Sequence, residues 1–120
     1  MATMNEVISR VDALRPNIFT EEQKYRWISH VDGLVSREVM NDDAPEYTLP
    51  DDADTPLLVG HPYEDMYDFY LMAMIELANK EYDHYNNAVM LFQERYQQYK
   101  LWYIQHNVTT RSGNFRNVMG

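Results

Sequence analysis

One long helical pattern constrains the fold of this chain more than any other feature. Residues 62–106 contain no glycine and no proline after Pro62, and apolar or aromatic side chains recur along them in alternating steps of four and three. The members of this stripe are Leu71, Ile75, Ala78, Tyr82, Tyr85, Val89, Phe92, Tyr96, Tyr99 and Tyr103. Because such a stripe lies on one face of a helix, it needs a partner surface to pack against.

The length of this pattern favours two helices. A single helix over residues 62–106 would be about 67 Å long, several times the usual helix length in a compact domain. Residues 79–87 are rich in asparagine and aspartate, whose side chains compete for backbone hydrogen bonds and favour helix caps. A break there predicts helices over about 62–79 and 84–106, packed antiparallel. One continuous rod fits the same periodicity, so both interpretations stay open.

Two capping patterns predict shorter helices before this pair. Thr3 with Glu6, and Thr20 with Gln23, have the spacing of capping boxes. The first helix is predicted to end before Pro16, and the second is predicted to run to about Met40. The predicted inward residues are Val7, Ile8, Val11 and Leu14 in the first helix and Ile28, Val31, Val35 and Val39 in the second.

Residues 41–61 form a long connection that contains three prolines and two short apolar patches, at 47–49 and 57–59. These patches are expected either to pair as a small hairpin or to lie extended over the helices. Pro62 is predicted at the first position of the next helix, where its missing N–H costs nothing. After residue 106 the helical pattern stops, which predicts an extended arm over residues 107–120.

The sequence therefore predicts an all-α fold. We expect a small helical bundle with two long antiparallel helices, two shorter N-terminal helices, an acidic proline-containing connection and an extended C-terminal arm. Residues 1–106 would form one helical domain, with the connection at 41–61, and residues 107–120 would form the arm. A chain of 120 residues has room for one domain with one modest core.

The charge of the chain is concentrated in one segment. The formal net charge is −9, from 19 acidic and 10 basic side chains. Residues 42–68 hold nine of those acids and neither lysine nor arginine. DNA binding through a cationic surface is therefore not expected. The N-terminus lacks the pattern of a signal peptide, and the densest apolar run, at 71–78, is too short for a membrane span, so we expect no membrane contact.

Patterns with a known chemistry are weak in this chain. There is no cysteine, so neither a disulfide nor a thiolate metal site is predicted. Glu81 and His84 form one Glu-x-x-His pair, whereas a di-iron bundle needs this motif twice. Asp51, Asp52 and Asp54 resemble part of a calcium loop but lack its central glycine and final glutamate. We therefore expect a protein that is not an enzyme and that has no catalytic residue, cofactor or metal ligand.

The aromatic residues indicate protein contacts instead. Ten tyrosines and eight methionines are more than one small bundle is expected to bury, and both residue types are common at interfaces between proteins. Some of this surface is expected to face another subunit. The predicted residues of subunit packing are Tyr96, Tyr99, Trp102 and Tyr103.

An ordered set of segments resembles a known family. These segments are VDALRPN at 11–17, TEEQKYRW at 20–27, YTLPDDADTPLLV at 47–59, PYEDMYDFYL at 62–71, EYDHYNN at 81–87 and a helix that ends with Trp102 and Tyr103. Over residues 4–106 the chain resembles the small head-to-tail adaptor, or connector, proteins of long-tailed phages of Gram-positive hosts. The resemblance implies a homo-oligomeric ring, usually of twelve copies, beneath the portal protein. The ring would extend the DNA channel and dock a stopper or neck protein.

This resemblance implies a place for the chain and roles for its charged segments. The protein would lie in the neck of the virion, after assembly in the host cytoplasm, with DNA passing through the lumen without specific binding. Asp42, Asp43, Asp51, Asp52 and Asp54 are expected to face the lumen or the stopper. Alternatively, these acids merely solvate a loop.

The C-terminal arm has a separate expected role. Arg111, Phe115 and Arg116 are expected to contact the portal or a neighbouring subunit. The alternative function for the whole chain is a small acidic helical interaction or regulatory protein that acts on a basic partner.

Overall fold

A computed structural model describes residues 2–110 of the chain, with side chains described for residues 2–107. The fold is all-α, and the described residues contain no strand. The main helices are α1 (Met4–Leu14), α2 (Glu21–Leu34), α3 (Asp65–Ala78) and α4 (Tyr82–Thr110). A π-helical turn (Val35–Val39) extends α2, and a 3₁₀ turn (Asp51–Asp54) lies in the connection. The predicted helical bundle with two long antiparallel helices is confirmed.

Both predicted N-terminal caps form. The Thr3 hydroxyl accepts a hydrogen bond from the Glu6 N–H, and the Thr20 hydroxyl accepts one from the Gln23 N–H, each at 3.2 Å. Each bond satisfies an N–H that the first turn of the helix leaves without a partner. The predicted starts of α1 and α2 are therefore confirmed.

The inward faces of α1 and α2 agree with the prediction except at one position. Seven of the eight predicted residues are buried, but Leu14 is 59% exposed. Leu14 is the last residue of α1, and the helix ends at the cap residue Arg15. The helical periodicity correctly identified the face of the helix but not how far along the helix the contact with the core extends.

The connection lies over the helices without forming strands. Leu57 and Val59 are buried in the core, and Leu49 and Leu58 pack against it. The hairpin alternative is therefore wrong, and the extended alternative is the correct one. The prediction for Pro62 is also wrong, because α3 begins only at Asp65 and Pro62 lies in the preceding turn.

The break between the long helices falls within the predicted segment. Only residues 79–81 separate α3 from α4, and Lys80 has a left-handed backbone with φ 61°. The Glu81 N–H donates to the Glu76 carbonyl at 2.9 Å, which closes the turn. The continuous rod is therefore wrong, because the two helices fold back and pack against each other. The stripe is not buried throughout, since Ala78 and Tyr82 next to this turn are exposed.

The helix α4 runs to Thr110, four residues beyond the predicted end at 106. The prediction of an arm that begins at residue 107 is therefore wrong for residues 107–110, which are helical. The core is formed by the inward faces of all four helices and by the apolar residues of the connection. This arrangement leaves the other side of α4 without a covering element among the described residues.

Candidate functional site: interaction surfaces and a polar cluster

Two of the residues predicted for subunit packing lie inside the bundle. Tyr96 and Tyr99 are 5% and 4% exposed, and the Tyr96 hydroxyl donates a hydrogen bond to Glu38 at 2.5 Å. Burial raises the pKa of Tyr99 to about 12, and the nearby charges of Tyr103 and Asp32 act in the same direction. The expectation of a surface at Tyr96 and Tyr99 is thereby corrected. Contact with another subunit stays a prediction for Trp102 and Tyr103.

The outer side of α4 carries exposed apolar side chains. Met90 and Leu91 form one pair and Leu101 and Trp102 form a second, with Ile104 beside it, and all five are at least 38% exposed. The two pairs are separated by three helical turns, or about 16 Å, so they lie along one side of the helix. Exposed apolar residues gathered along one side of an element are typical of an interaction surface. We call these five residues the outer face of α4.

Aromatic rings support one end of this face. Trp102 stacks on Tyr99 with ring centroids 5.8 Å apart and contacts His106 at 4.6 Å. Tyr63 lies 6.0 Å from Trp102, and an open depression of about 270 Å³ lies beside these rings and Leu101. Because the indole is held between other rings, its exposed edge has a defined position on the surface.

Two of the acids predicted to face a lumen have local structural contacts. The Asp52 carboxylate accepts a hydrogen bond from the Thr48 N–H at 2.7 Å, which closes the turn before the 3₁₀ segment. The Asp54 carboxylate accepts one from the Asn5 side-chain amide at 2.8 Å, which ties the connection to α1. These two acids therefore help to hold the connection in place, whichever surface they face.

The other three acids predicted to face a lumen make fewer contacts with the rest of the chain. Asp42, Asp43 and Asp51 are exposed, and the only side-chain contact among them is the hydrogen bond from the Asp43 N–H to Asp42 at 2.8 Å. Within the described residues none of the three has a basic partner. They can therefore present negative charge to a partner. The predicted arm residues Arg111, Phe115 and Arg116 lie outside the described residues.

A buried carboxylate joins the connection to the helices. Asp32 is fully buried and accepts hydrogen bonds from the Tyr67 hydroxyl, from the Tyr47 hydroxyl at 2.6 Å and from the Leu58 N–H at 3.2 Å. Burial raises the pKa of Asp32, and these three hydrogen bonds only partly offset that rise. The Tyr67 hydroxyl also accepts a hydrogen bond from the Val59 N–H at 2.9 Å. These hydrogen bonds hold the connection and α3 against α2, so Asp32 has a structural role.

A second polar cluster lies at the turn between α3 and α4. The His84 Nδ1 atom is 3.4 Å from Glu76 and 3.6 Å from Glu81, and the ligand atoms of all three residues lie within 4.8 Å of one another. Glu76 is buried and accepts a hydrogen bond from the Arg15 Nε at 2.8 Å. Burial raises the pKa of Glu76, but contacts with Arg15, Glu81 and His84 outweigh it and lower the pKa overall.

No protein-family model, curated protein or solved structure matches this chain. These comparisons therefore assign no function to the chain. No helix among residues 2–110 combines the length and the hydrophobicity that crossing a bilayer requires.

Sequence reasoning missed the buried members of both polar clusters. Asp32 lies on a helix among apolar positions, and Glu76 interrupts the densest apolar run of the chain. An acid inside such a run indicates a buried polar contact, because a charged side chain is buried only when it has a hydrogen-bond or ionic partner. Tyr47 is 15 residues from Asp32 and Arg15 is 61 residues from Glu76, so the identity of these partners depends on the fold.

Proposed function

We propose that this chain is a structural subunit of a phage head-to-tail connector, assembling as a ring beneath the portal and offering a docking surface to the stopper or neck protein. The observation that supports this proposal is the outer face of α4. The longest helix of this all-helical subunit has one side in the core and carries five exposed apolar side chains on its other side, which suits packing against another copy.

The energetics of the outer face favour a covered state. Met90 is 69% exposed and Leu101 is 58% exposed. Burial of apolar surface contributes about 25 cal/mol for each Å² removed from water. In a closed ring, the outer face of α4 in each copy would pack against a different surface of the next copy, so that it would be covered in every copy.

The charge distribution suits a channel that DNA crosses. A lumen that bound phosphate would hold the DNA, whereas a lumen lined with carboxylates repels it. Asp42, Asp43 and Asp51, which are exposed and have no basic partner among the described residues, lie on one connection. In the proposed ring this connection faces the lumen or the stopper, and the arm with Arg111 and Arg116 contacts the portal or a neighbouring copy.

The test is imaging of the neck in virions from the phage or induced prophage that encodes the chain. We expect density for a ring of this subunit between the portal and the tail, with α4 of one copy against the next. A neck map in which the chain is absent would overturn the proposal.

A matched pair of variants tests the surface. Met90→Gln with Leu101→Gln removes apolar character from the outer face, whereas Ile18→Ser removes it from the loop between α1 and α2, where Ile18 is 96% exposed. We expect the first variant to be lost from virions and the second to be incorporated normally. Equal incorporation of both variants would show that the outer face of α4 is not the contact between copies.

A further inference from the structure

The turn between α3 and α4 brings together three side chains with the chemistry of metal ligands. Glu76 is in the last turn of α3, Glu81 immediately precedes α4, and His84 is in the first turn of α4. The His84 Nδ1 atom lies 3.4 Å from Glu76 Oε2 and 3.6 Å from Glu81 Oε2. All three ligand atoms lie within 4.8 Å of one another.

The fold holds these residues in this arrangement. The left-handed Lys80 reverses the chain, and the hydrogen bond from the Glu81 N–H to the Glu76 carbonyl at 2.9 Å fixes the two glutamates relative to each other. The Arg15 Nε donates to Glu76 Oε1 at 2.8 Å, which orients the carboxylate so that Oε2 faces His84. A ligand whose second atom is held by a hydrogen bond is pre-oriented in the way that metal sites require.

We propose that Glu76, Glu81 and His84 bind a divalent transition-metal ion, with Zn²⁺ as the ion that the ligand set fits best. One imidazole and two carboxylates are suited to Zn²⁺, whereas Mg²⁺ and Ca²⁺ prefer oxygen ligands alone. With metal–ligand distances of about 2.1 Å, the ligands of a tetrahedral ion lie about 3.4 Å apart. The two distances from His84 are close to that spacing.

The surroundings of the three side chains are suited to a cation, because they carry negative charge and are open to solvent. Two carboxylates meet one guanidinium here, so the group carries an excess of negative charge that a cation would compensate. An open depression of about 470 Å³, lined by residues 80–84, leads to the cluster from solvent. Three protein ligands leave a fourth position for water.

A bound ion would connect the end of α3 to the start of α4. This connection would stabilise the hairpin that carries the outer face of α4, although the metal proposal does not depend on the ring. The two proposals can fail separately, because one is tested by metal binding to the isolated chain and the other by the contents of virions.

The experiment is a titration of the purified full chain with ZnCl₂, followed by calorimetry and by thermal unfolding. We expect one ion per chain and a midpoint of unfolding that rises with the concentration of ZnCl₂. Glu81→Gln and His84→Asn should each weaken Zn²⁺ binding by more than about 10-fold. A loss of roughly 10-fold already results when a residue that only holds a metal ligand in place is substituted. Both side chains are exposed at the surface, so these variants are expected to fold.

The chain contains its own matched control. His61 and Glu64 have the same separation of three residues and lie 3.9 Å apart, and His61 is 87% exposed. No third carboxylate or imidazole groups with them among the described residues. The double variant His61→Asn with Glu64→Gln should therefore bind Zn²⁺ as the native chain does.

Three results would overturn the proposal. The first is the absence of a calorimetric signal and of a thermal shift with ZnCl₂. The second is a loss of binding in the His61 and Glu64 variant as large as that in His84→Asn, since this would indicate nonspecific binding at surface histidines. The third is equal binding of MgCl₂ or CaCl₂, which would contradict the argument from ligand chemistry.

Discussion

The hydroxyl group of Tyr67 donates a hydrogen bond to the buried carboxylate of Asp32, which lies 35 residues earlier in the chain. The same hydroxyl accepts a hydrogen bond from the Val59 N–H at 2.9 Å. One phenol on α3 thus holds α2 and the connection together.

We expect Tyr67→Phe to destabilise the fold by about 1–3 kcal/mol, because it leaves the Val59 N–H and one bond to Asp32 unsatisfied in the core. Urea denaturation measures the change in the free energy of unfolding. The control is Tyr82→Phe, since Tyr82 is 55% exposed and the same hydroxyl group is removed at the surface. Equal effects of the two substitutions would contradict the role assigned to the Tyr67 hydroxyl.

Buried tyrosines should make the fold sensitive to alkali. Burial raises the pKa of Tyr99 from 10.0 to about 12, and burial also raises that of Tyr67. The folded chain therefore binds more protons than the unfolded chain between pH 10 and 12. Stability that is fully present below pH 10 is consequently lost as the pH rises.

The measurement is the urea midpoint at pH values from 8 to about 12, followed together with the absorbance of tyrosinate. Tyr99→Phe should reduce the loss of stability at alkaline pH, and Tyr82→Phe should leave it unchanged. A urea midpoint that stays constant while the tyrosines ionise would show that their burial does not limit stability.

The pair of Arg15 and Glu76 should matter more than an exposed ion pair. Arg15→Gln leaves the buried Glu76 carboxylate without its cationic partner, and we expect a loss of about 1–3 kcal/mol near neutral pH. Arg26→Gln is the control, because Arg26 and Glu22 are both largely exposed and such pairs contribute about 0.3–0.5 kcal/mol.

The Arg15 effect should also depend on pH. The pKa of Glu76 is lowered from 4.5, since contacts with Arg15, Glu81 and His84 outweigh the effect of burial. The stabilisation is therefore present above pH 4.5 and is lost as the pH falls through the lowered pKa. The difference between Arg15→Gln and the native chain should shrink over the same range. A difference that is constant with pH would show that Arg15 acts through packing alone.

Backbone strain at the turn before α4 predicts a stabilising substitution. Lys80 has φ 61°, a conformation that costs side-chain-bearing residues about 1 kcal/mol and that glycine adopts freely. Lys80→Gly should therefore raise the free energy of unfolding by up to about 1 kcal/mol. Asn41, with φ 55°, is the control, because asparagine tolerates this conformation and Asn41→Gly should gain less. Destabilisation by Lys80→Gly would indicate that the lysine side chain contributes a contact of its own.

The local features of this fold could be predicted from the sequence because they depend on neighbouring residues. Threonine three positions before a helix N–H forms a cap, as at Thr3 and Thr20. The segment rich in asparagine and aspartate, 79–87, contains the break, which begins at Asn79, while Asp83, Asn86 and Asn87 lie within α4. The spacing of apolar residues identified the inward faces of α1 and α2. None of these inferences required knowledge of which element packs against a given helix.

The sequence by itself determined that this chain is all-α and where each helix begins to within a few residues, whereas the structure decided that residues 62–106 form two helices packed against each other and not one rod. Only the tertiary structure decided which residues of the stripe are buried, so that Tyr96 and Tyr99 lie in the core while Tyr82 stays exposed. Tertiary structure also brought Arg15 to Glu76 and Asp32 to Tyr67. The physical reason is that periodicity assigns a residue to a face of a helix, whereas burial and polar contacts depend on elements distant in the chain that cover that face.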